Sequence, residues 1–213
     1  MHTLCFDLDG TLSDPKVGIT RSIIHALTEL DRAAPEADEL EWCIGPPLAD
    51  SLEKLLGNTR DANLAIIKYR ERYSAIGALE NTLYEGIRPL LETLKEAGHS
   101  LFVATSKAEI FAQKILDHFQ IADLFENIYG AELDGTRSDK TDLLAYLLKK
   151  EDLDPAQTIM IGDRKYDIIG ALNNHIRPIG VTYGYGSKSE LQDAGASHLC
   201  DTPRALSKFL AQL

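Results

Sequence analysis

Two aspartates stand one residue apart in FDLDGT, residues 6–11, at the end of an apolar run. Residues two apart on a strand project to the same face, so Asp7 and Asp9 come near each other, although a turn opening at Gly10 loosens that rule. Two like charges held together cost free energy unless a cation or a proton offsets them. The first lysine or arginine along the chain is Lys16. The pair therefore calls for a metal ion, for lysines brought in by the fold, or for both. Taken alone, it has a plainer explanation: an Asp-Gly turn with solvated carboxylates, or a helix cap.

A second apolar run ends the same way. In QTIMIGDRKYD (157–167), Asp163 follows Gly162 and Asp167 comes four residues later, one helical turn on, so both can face one point. Four carboxylates at two strand ends suit Mg²⁺, which takes oxygen ligands and needs only one or two protein carboxylates. They do not suit a histidine- or cysteine-based zinc site. A third run, SLFVATSK (100–107), ends in Thr105, Ser106 and Lys107. A hydroxyl where a strand meets a helix start suits a phosphoryl oxygen, though it equally suits an ordinary N-cap. A fourth segment, SDKTD (138–142), puts Lys140 in the first turn of a helix, where the macrodipole disfavours a cation.

These residues need a scaffold that gathers strand ends. Strands are expected at 2–8, 100–105, 124–130, 157–162, 177–182 and 197–200. Helices are expected at 86–98, 107–119, 139–150, 165–174 and 203–213. Strands alternating with helices of this length indicate an α/β fold with a parallel sheet covered on both faces. In such sheets ligands bind at the carboxyl edge. Residues 15–84 break the alternation. They carry helical patterns at 17–30, 48–57 and 62–76 and no convincing strand, so an all-helical block is expected between the first and second strands. Its borders, SDP (13–15) and YEGI (84–87), read as hinges. The expected organisation is a core of residues 1–14 and 85–213 with a helical cap of residues 15–84.

The 213 residues are enough for one sizeable core or a core with a small second domain. With 22 basic and 33 acidic residues the net charge is −11, which disfavours nucleic-acid polymers and anionic membranes as partners. An anionic substrate must then be drawn in by a local feature. Cys5, Cys43 and Cys200 are widely spaced without a CxxC pair, as expected for buried thiols in a reducing compartment. No basic leader or long apolar run is present, and a cytoplasmic protein is expected.

The four motifs in this order resemble those of the haloacid dehalogenase superfamily, phosphatase type, and the resemblance covers the whole chain. It implies a Rossmann-like core, and the helical insert resembles the small cap of the phosphoglycolate phosphatase-like group. By that resemblance Asp7 is the nucleophile that forms an aspartyl-phosphate. Asp9 protonates the leaving alcohol and then activates water. Mg²⁺ is held by Asp7, the backbone carbonyl of Asp9 and Asp163, with Asp167 ligating through water or orienting the shell. Thr105 and Lys140 bind phosphoryl oxygens, and backbone N–H groups around Leu8 and Ser106 add donors. Lys107 competes with Lys140 for the lysine role, and Lys140 is preferred for its place between the second and fourth motifs. The dehalogenase and phosphonate-cleaving branches lack an aspartate at the position of Asp9, so phosphate-ester or phosphoanhydride chemistry is favoured; a phosphomutase is compatible.

The cap should choose the substrate. WCIGPPLADSL (42–52) holds a stiff Gly-Pro-Pro turn, either aimed into the site or merely connecting helices. YRERY (69–73) puts Tyr69 and Tyr73 on one helical face, as core packing or as a stacking platform. Arg21, Lys54, Arg70 and Arg72 are the cap's candidate cations. Taken together, IGPPL, YRERY, LYEGI and GDRKYDIIGA look most like the 5′-nucleotidase-like branch, with phosphoglycolate phosphatase second and a catalytically silent phosphometabolite-binding module a distant third. The expected partner is a small phosphorylated metabolite, and the expected state a monomer or homodimer.

Overall fold

The structure, a computed structural model, describes residues 1–212. Chain order gives strand β1 (Thr3–Phe6), strand β2 (Ser13–Asp14), helix α1 (Lys16–Glu29), helix α2 (Leu48–Leu56) and helix α3 (Thr59–Ala75). Strand β3 (Thr82–Leu83), helix α4 (Ile87–Glu96), strand β4 (Ser100–Ala108), helix α5 (Glu109–His118) and strand β5 (Asn127–Ala131) follow. The chain ends with helix α6 (Lys140–Glu151), strand β6 (Thr158–Gly162), helix α7 (Lys165–Asn173), strand β7 (Arg177–Val181), helix α8 (Lys188–Asp193), strand β8 (His198–Cys200) and helix α9 (Pro203–Leu210).

Six strands form one parallel sheet in the order β5-β4-β1-β6-β7-β8. Alternate residues serve opposite faces, as the period of two requires. Leu4, Phe6, Leu101, Val103, Ile159 and Ile161 join one apolar cluster, which includes Leu90 and Leu94 of α4, Ile115 of α5 and Leu206 of α9. Cys5, Phe102, Ala104 and Met160 join the other, with Leu143 and Leu147 of α6 and Ala171 of α7. Burial on both faces explains why these strands read as continuous apolar runs. The chain runs outward from β1 through β4 to β5, then returns to β6 and runs the other way. The order therefore reverses beside β1, and the crevice for a ligand opens there.

The boundaries of some expected elements move. The first strand is shorter than 2–8, and residues 122–124 form a 3₁₀ turn ahead of β5. Strand β4 continues through Ala108, so Thr105 to Lys107 lie in the strand and the helix expected from 107 begins at Glu109. Helix α3 starts three residues before the expected 62 because Asn58 caps it, its side chain accepting from the Asp61 N–H. Residues 15–84 were expected to lack strands. Ser13–Asp14 instead pairs antiparallel with Thr82–Leu83 at the neck of the helical segment, two residues on each side, too short for any periodicity to betray. Helix α8 was also absent from the expectation. Cys5, Cys43 and Cys200 are free and buried, and burial pushes the Cys5 thiol up to about 12.

Candidate active site

The three central strands each end in site residues. Phe6 of β1 pairs with Val103 of β4 on one side and with Ile161 of β6 on the other. Asp7, Thr105 and Asp163 therefore emerge side by side just past that level. The Asp7 N–H continues the ladder by donating to the Ile161 carbonyl, which fixes the start of the carboxylate's path. Asp7, Asp9, Thr105, Lys140, Asp163 and Asp167 are all buried.

Asp7, Asp163 and Asp167 each offer a carboxylate oxygen within 4.8 Å of the other two. Lys140 Nζ stands beside them, 3.1 Å from Asp7 Oδ1 and 2.8 Å from Asp167 Oδ1, and donates to the Ala104 carbonyl at 2.8 Å. The cation at the first residue of α6 is thus explained by what faces it. Burial alone would lower the Lys140 pKa; Asp167 and Asp7 reverse that and raise it. The Asp139 side chain caps the same helix by accepting from Thr141 and Asp142 N–H.

Burial, and then the charges of Asp167 and Asp7, push the Asp163 carboxyl well above the usual range. Asp163 nevertheless accepts from the Tyr185 N–H at 2.7 Å and from the Thr11 hydroxyl at 3.3 Å. Burial likewise raises Asp167, against the pull of Lys140, to about 6. Its second oxygen accepts from the Arg164 N–H at 3.0 Å, closing the first turn of α7. Counting Asp9, four carboxylates meet two ammonium groups, Lys140 and Lys107. With all four ionised, two negative charges would be left over in a buried site whose ligand atoms are all oxygen. That donor set and that surplus fit a hard divalent cation such as Mg²⁺.

The Asp9 carboxylate stands apart from the three. Its Oδ2 lies 2.6 Å from Lys107 Nζ, whose side chain is only 7% exposed. Burial raises the Asp9 pKa, and Lys107 opposes this. Lys107 also donates to the Tyr73 hydroxyl at 2.7 Å. The two lysines that competed for one role therefore divide the carboxylates between them. The Leu8 N–H, expected as a phosphoryl donor, is taken up by Asp7 Oδ1 at 2.8 Å. Thr105 and the half-buried Ser106 both border the cavity, and the Thr105 hydroxyl accepts from the Lys107 N–H at 3.3 Å.

That cavity, about 430 Å³, lies between the strand ends and the helical segment. Asp7 and Asp9 form its floor side, while Ile19, Pro46, Pro47, Leu48, Ile66 and Tyr69 give it apolar walls. The Gly-Pro-Pro turn thus does face the site. Tyr69 and Tyr73 stack on each other at 5.0 Å, both buried, and both also border the cavity. Of the cap cations, Arg70 borders the cavity and donates to the Leu133 carbonyl at 2.6 Å. Arg21 and Arg72 pair with Glu80, and Lys54 lies over the Trp42 ring.

Sequence reasoning passed over the YGYG run at 183–186. A Cβ at Gly184 would lie 2.2 Å from the Gly10 carbonyl oxygen, and one at Gly186 would lie 1.8 Å from that of Asp163. Only glycine lets this loop press so closely on both carboxylate turns, and its tyrosine hydroxyls bond the Thr11 carbonyl and the Asp14 carboxylate. The tyrosine–glycine alternation after a buried strand was the available signal.

Known proteins agree with this architecture. Residues 4–181 match the family described as haloacid dehalogenase-like hydrolase. The chain is 45% identical over 208 residues to a 5′-nucleotidase from Pseudomonas aeruginosa, covering 97% of this chain and 94% of that protein. It is also 45% identical over 181 residues to tyrosine-protein kinase PtkA of Mycobacterium tuberculosis, covering 85% of this chain but only 62% of that one. Phosphoglycolate phosphatases of several bacteria match at 27% to 32% identity. A solved structure described as a predicted phosphatase from Clostridium acetobutylicum superposes with a TM-score of 0.96 at 41% identity, covering 100% of both chains. The chain belongs to the haloacid dehalogenase-like hydrolase family, as one of its phosphatases.

Proposed function

We propose that the chain is a Mg²⁺-dependent phosphomonoesterase that works through an aspartyl-phosphate on Asp7 and hydrolyses nucleoside 5′-monophosphates. The observation that carries the chemistry is the division of the site. One carboxylate, Asp7, sits among Asp163, Asp167 and Lys140, while Asp9 is held separately by Lys107. Two acids in distinct environments suit two distinct roles.

In this reading Asp7 attacks phosphorus as the bond to the alcohol oxygen breaks, and Asp9, raised by burial, gives that oxygen its proton. Asp9 then takes a proton from the water that attacks the acyl phosphate, and inorganic phosphate leaves. Lys140 and Thr105 bind the phosphoryl oxygens, with the Ser106 N–H as a further donor. The residues that would hold Mg²⁺ are Asp7, Asp163 and the Asp9 carbonyl, with Asp167 orienting Lys140 and the shell. When bound, the cation supplies positive charge against the developing charge of the transferring group. Lys140 contributes the same kind of stabilisation from a fixed position.

The substrate choice is supported by the walls of the cavity. A volume of about 430 Å³ with apolar sides falls in the range of sites that enclose a nucleoside-sized ligand. Phosphoglycolate would need far less space and a cation for its carboxylate, and only Arg70 of the four cap cations stands ready. The 45% identity to the Pseudomonas aeruginosa 5′-nucleotidase points the same way.

The test is phosphate release, with Mg²⁺ and with EDTA, from nucleoside 5′-monophosphates, phosphoglycolate, sugar phosphates and pyrophosphate. Preference for the nucleotides, abolished by EDTA, is expected. Preference for phosphoglycolate would keep the mechanism and overturn the substrate.

A further inference from the structure

Lys107 looks from the sequence like a second phosphate-binding lysine, and the structure gives it other work. It is the last polar residue of β4 before the helix, yet Nζ reaches Asp9 Oδ2 and the Tyr73 hydroxyl rather than the carboxylate trio. Tyr73 belongs to α3, in the helical segment between strands β2 and β3. Its ring is pinned, stacked on Tyr69 at 5.0 Å and edge-on to Phe111 of α5 at 5.2 Å, and Lys107 Nζ lies 4.8 Å from its centre. A buried ammonium needs such partners, because a charge without them is costly. The arrangement leaves Asp9 lopsided. Oδ2 is engaged by Lys107, whereas Oδ1 is buried and has no hydrogen-bond partner among the described residues.

We propose that Lys107, anchored by Tyr73, is a positioning residue that holds Asp9 through Oδ2 and so leaves Oδ1 to carry the transferred proton. The inference rests on the phosphomonoesterase reading above and adds to it a contact from the helical segment to the acid. In the step concerned, the Oδ1–H bond breaks as the leaving oxygen, keeping the electron pair of its bond to phosphorus, takes the proton. Asp9 is left as a carboxylate, and Lys107 balances its charge. Asp9 then takes back one proton from the attacking water.

Leaving groups separate positioning from phosphate binding. p-Nitrophenolate leaves without needing a proton, whereas a nucleoside or other alcohol needs one. The experiment measures kcat and KM, with saturating Mg²⁺, for a nucleoside 5′-monophosphate and for p-nitrophenyl phosphate in the parent, Lys107→Met, Lys107→Arg and Tyr73→Phe. General acid catalysis contributes roughly 10²- to 10⁴-fold. Lys107→Met should therefore lose about 10²-fold in kcat/KM on the nucleotide and less than about tenfold on the aryl ester, because kcat/KM ends at departure of the leaving group and excludes the hydrolysis step that both esters share. Tyr73→Phe should show the same imbalance at smaller size, and Lys107→Arg should recover part of the loss. Equal losses of kcat/KM on both esters would overturn the proposal, since a phosphate-binding or purely structural lysine serves both esters alike. Failure of the nucleotide reading looks different. The parent would then prefer phosphoglycolate, and the same comparison would run against that ester.

Discussion

The Arg164 guanidinium donates to the backbone carbonyl of Ile44, 120 residues away in sequence. Arg164 lies inside GDRKYD, between the two acidic residues of that motif, and Ile44 opens the IGPP turn of the helical segment. Its Nε is held by Glu190 of α8 at 2.9 Å, so the latch is itself fixed from behind.

Gly45 makes that latch possible. Its φ is +103°, and a Cβ there would lie 2.6 Å from Arg164 Cγ. Gly45→Ala should therefore cost about 1–3 kcal/mol through backbone strain and displace the turn from Arg164. Since Pro46 and Pro47 line the cavity, KM should rise more than kcat falls. Urea unfolding alongside steady-state kinetics checks both. Parental stability and KM would show that the turn's seat on Arg164 does not matter.

Asp7→Asn separates chemistry from folding. An amide is no nucleophile toward phosphorus, and turnover should fall by about 10⁴-fold or more. The Leu8 N–H keeps an oxygen acceptor, and one of the charges that raises Asp163 and Asp167 disappears. Without metal, the variant should melt no lower than the parent. Substantial residual phosphate release would rule out Asp7 as the attacking group.

This trio was legible because Asp7 and Asp163 each follow a buried strand and Asp167 lies one helical turn beyond Asp163, and neighbouring strand ends meet whatever the rest of the chain does. The alternation of Leu4, Cys5 and Phe6 across the sheet was equally readable. What stayed hidden depends on contacts between distant segments. Nothing in YRERY says that Tyr73 will meet Lys107, 34 residues on, and nothing in IGPP names Arg164. The extension of β4 through Ala108 was masked because TSKAEIF also fits the start of a helix.

Acid should protect the metal-free protein, contrary to the usual behaviour of paired carboxylates. Asp167 is raised to about 6, and Asp163 is displaced in the same direction. A carboxyl with a raised folded pKa gives its full stabilisation below its unfolded value, and that stabilisation is lost as pH rises through the folded one. In EDTA, the melting temperature should accordingly fall from about pH 4 through about pH 6 as Asp167 ionises, and Asp163 adds to the fall in the same direction. Mg²⁺ should restore it most at the high end, where protons no longer compete, by about 2.7 kcal/mol at a hundredfold excess over Kd. Thermal melts across that range, with and without Mg²⁺, make the comparison. A Mg²⁺ effect that is the same at both ends would count against a site made of these acids.

Arg70 decides between the two substrate readings. It is anchored to the Leu133 carbonyl, and Leu133 itself borders the cavity. If a nucleoside fills the space, the apolar walls supply most of the contact and Arg70 chiefly joins the two sides. Arg70→Ala should then raise KM for a nucleotide by less than about tenfold, since one exposed contact is worth about 1 kcal/mol. If instead a small carboxylated ester is the substrate, the guanidinium is the available counter-charge. Its removal would cost a charge-assisted pair of about 1.5–3 kcal/mol, roughly 10- to 150-fold in kcat/KM for that ester. Measuring kcat/KM of Arg70→Ala on both substrates gives a ratio that global destabilisation does not mimic, because unfolding lowers both numbers together. A selective loss on phosphoglycolate would make the carboxylate reading the stronger one. A small, equal change on both would leave recognition with Ile66, Tyr69 and the proline turn.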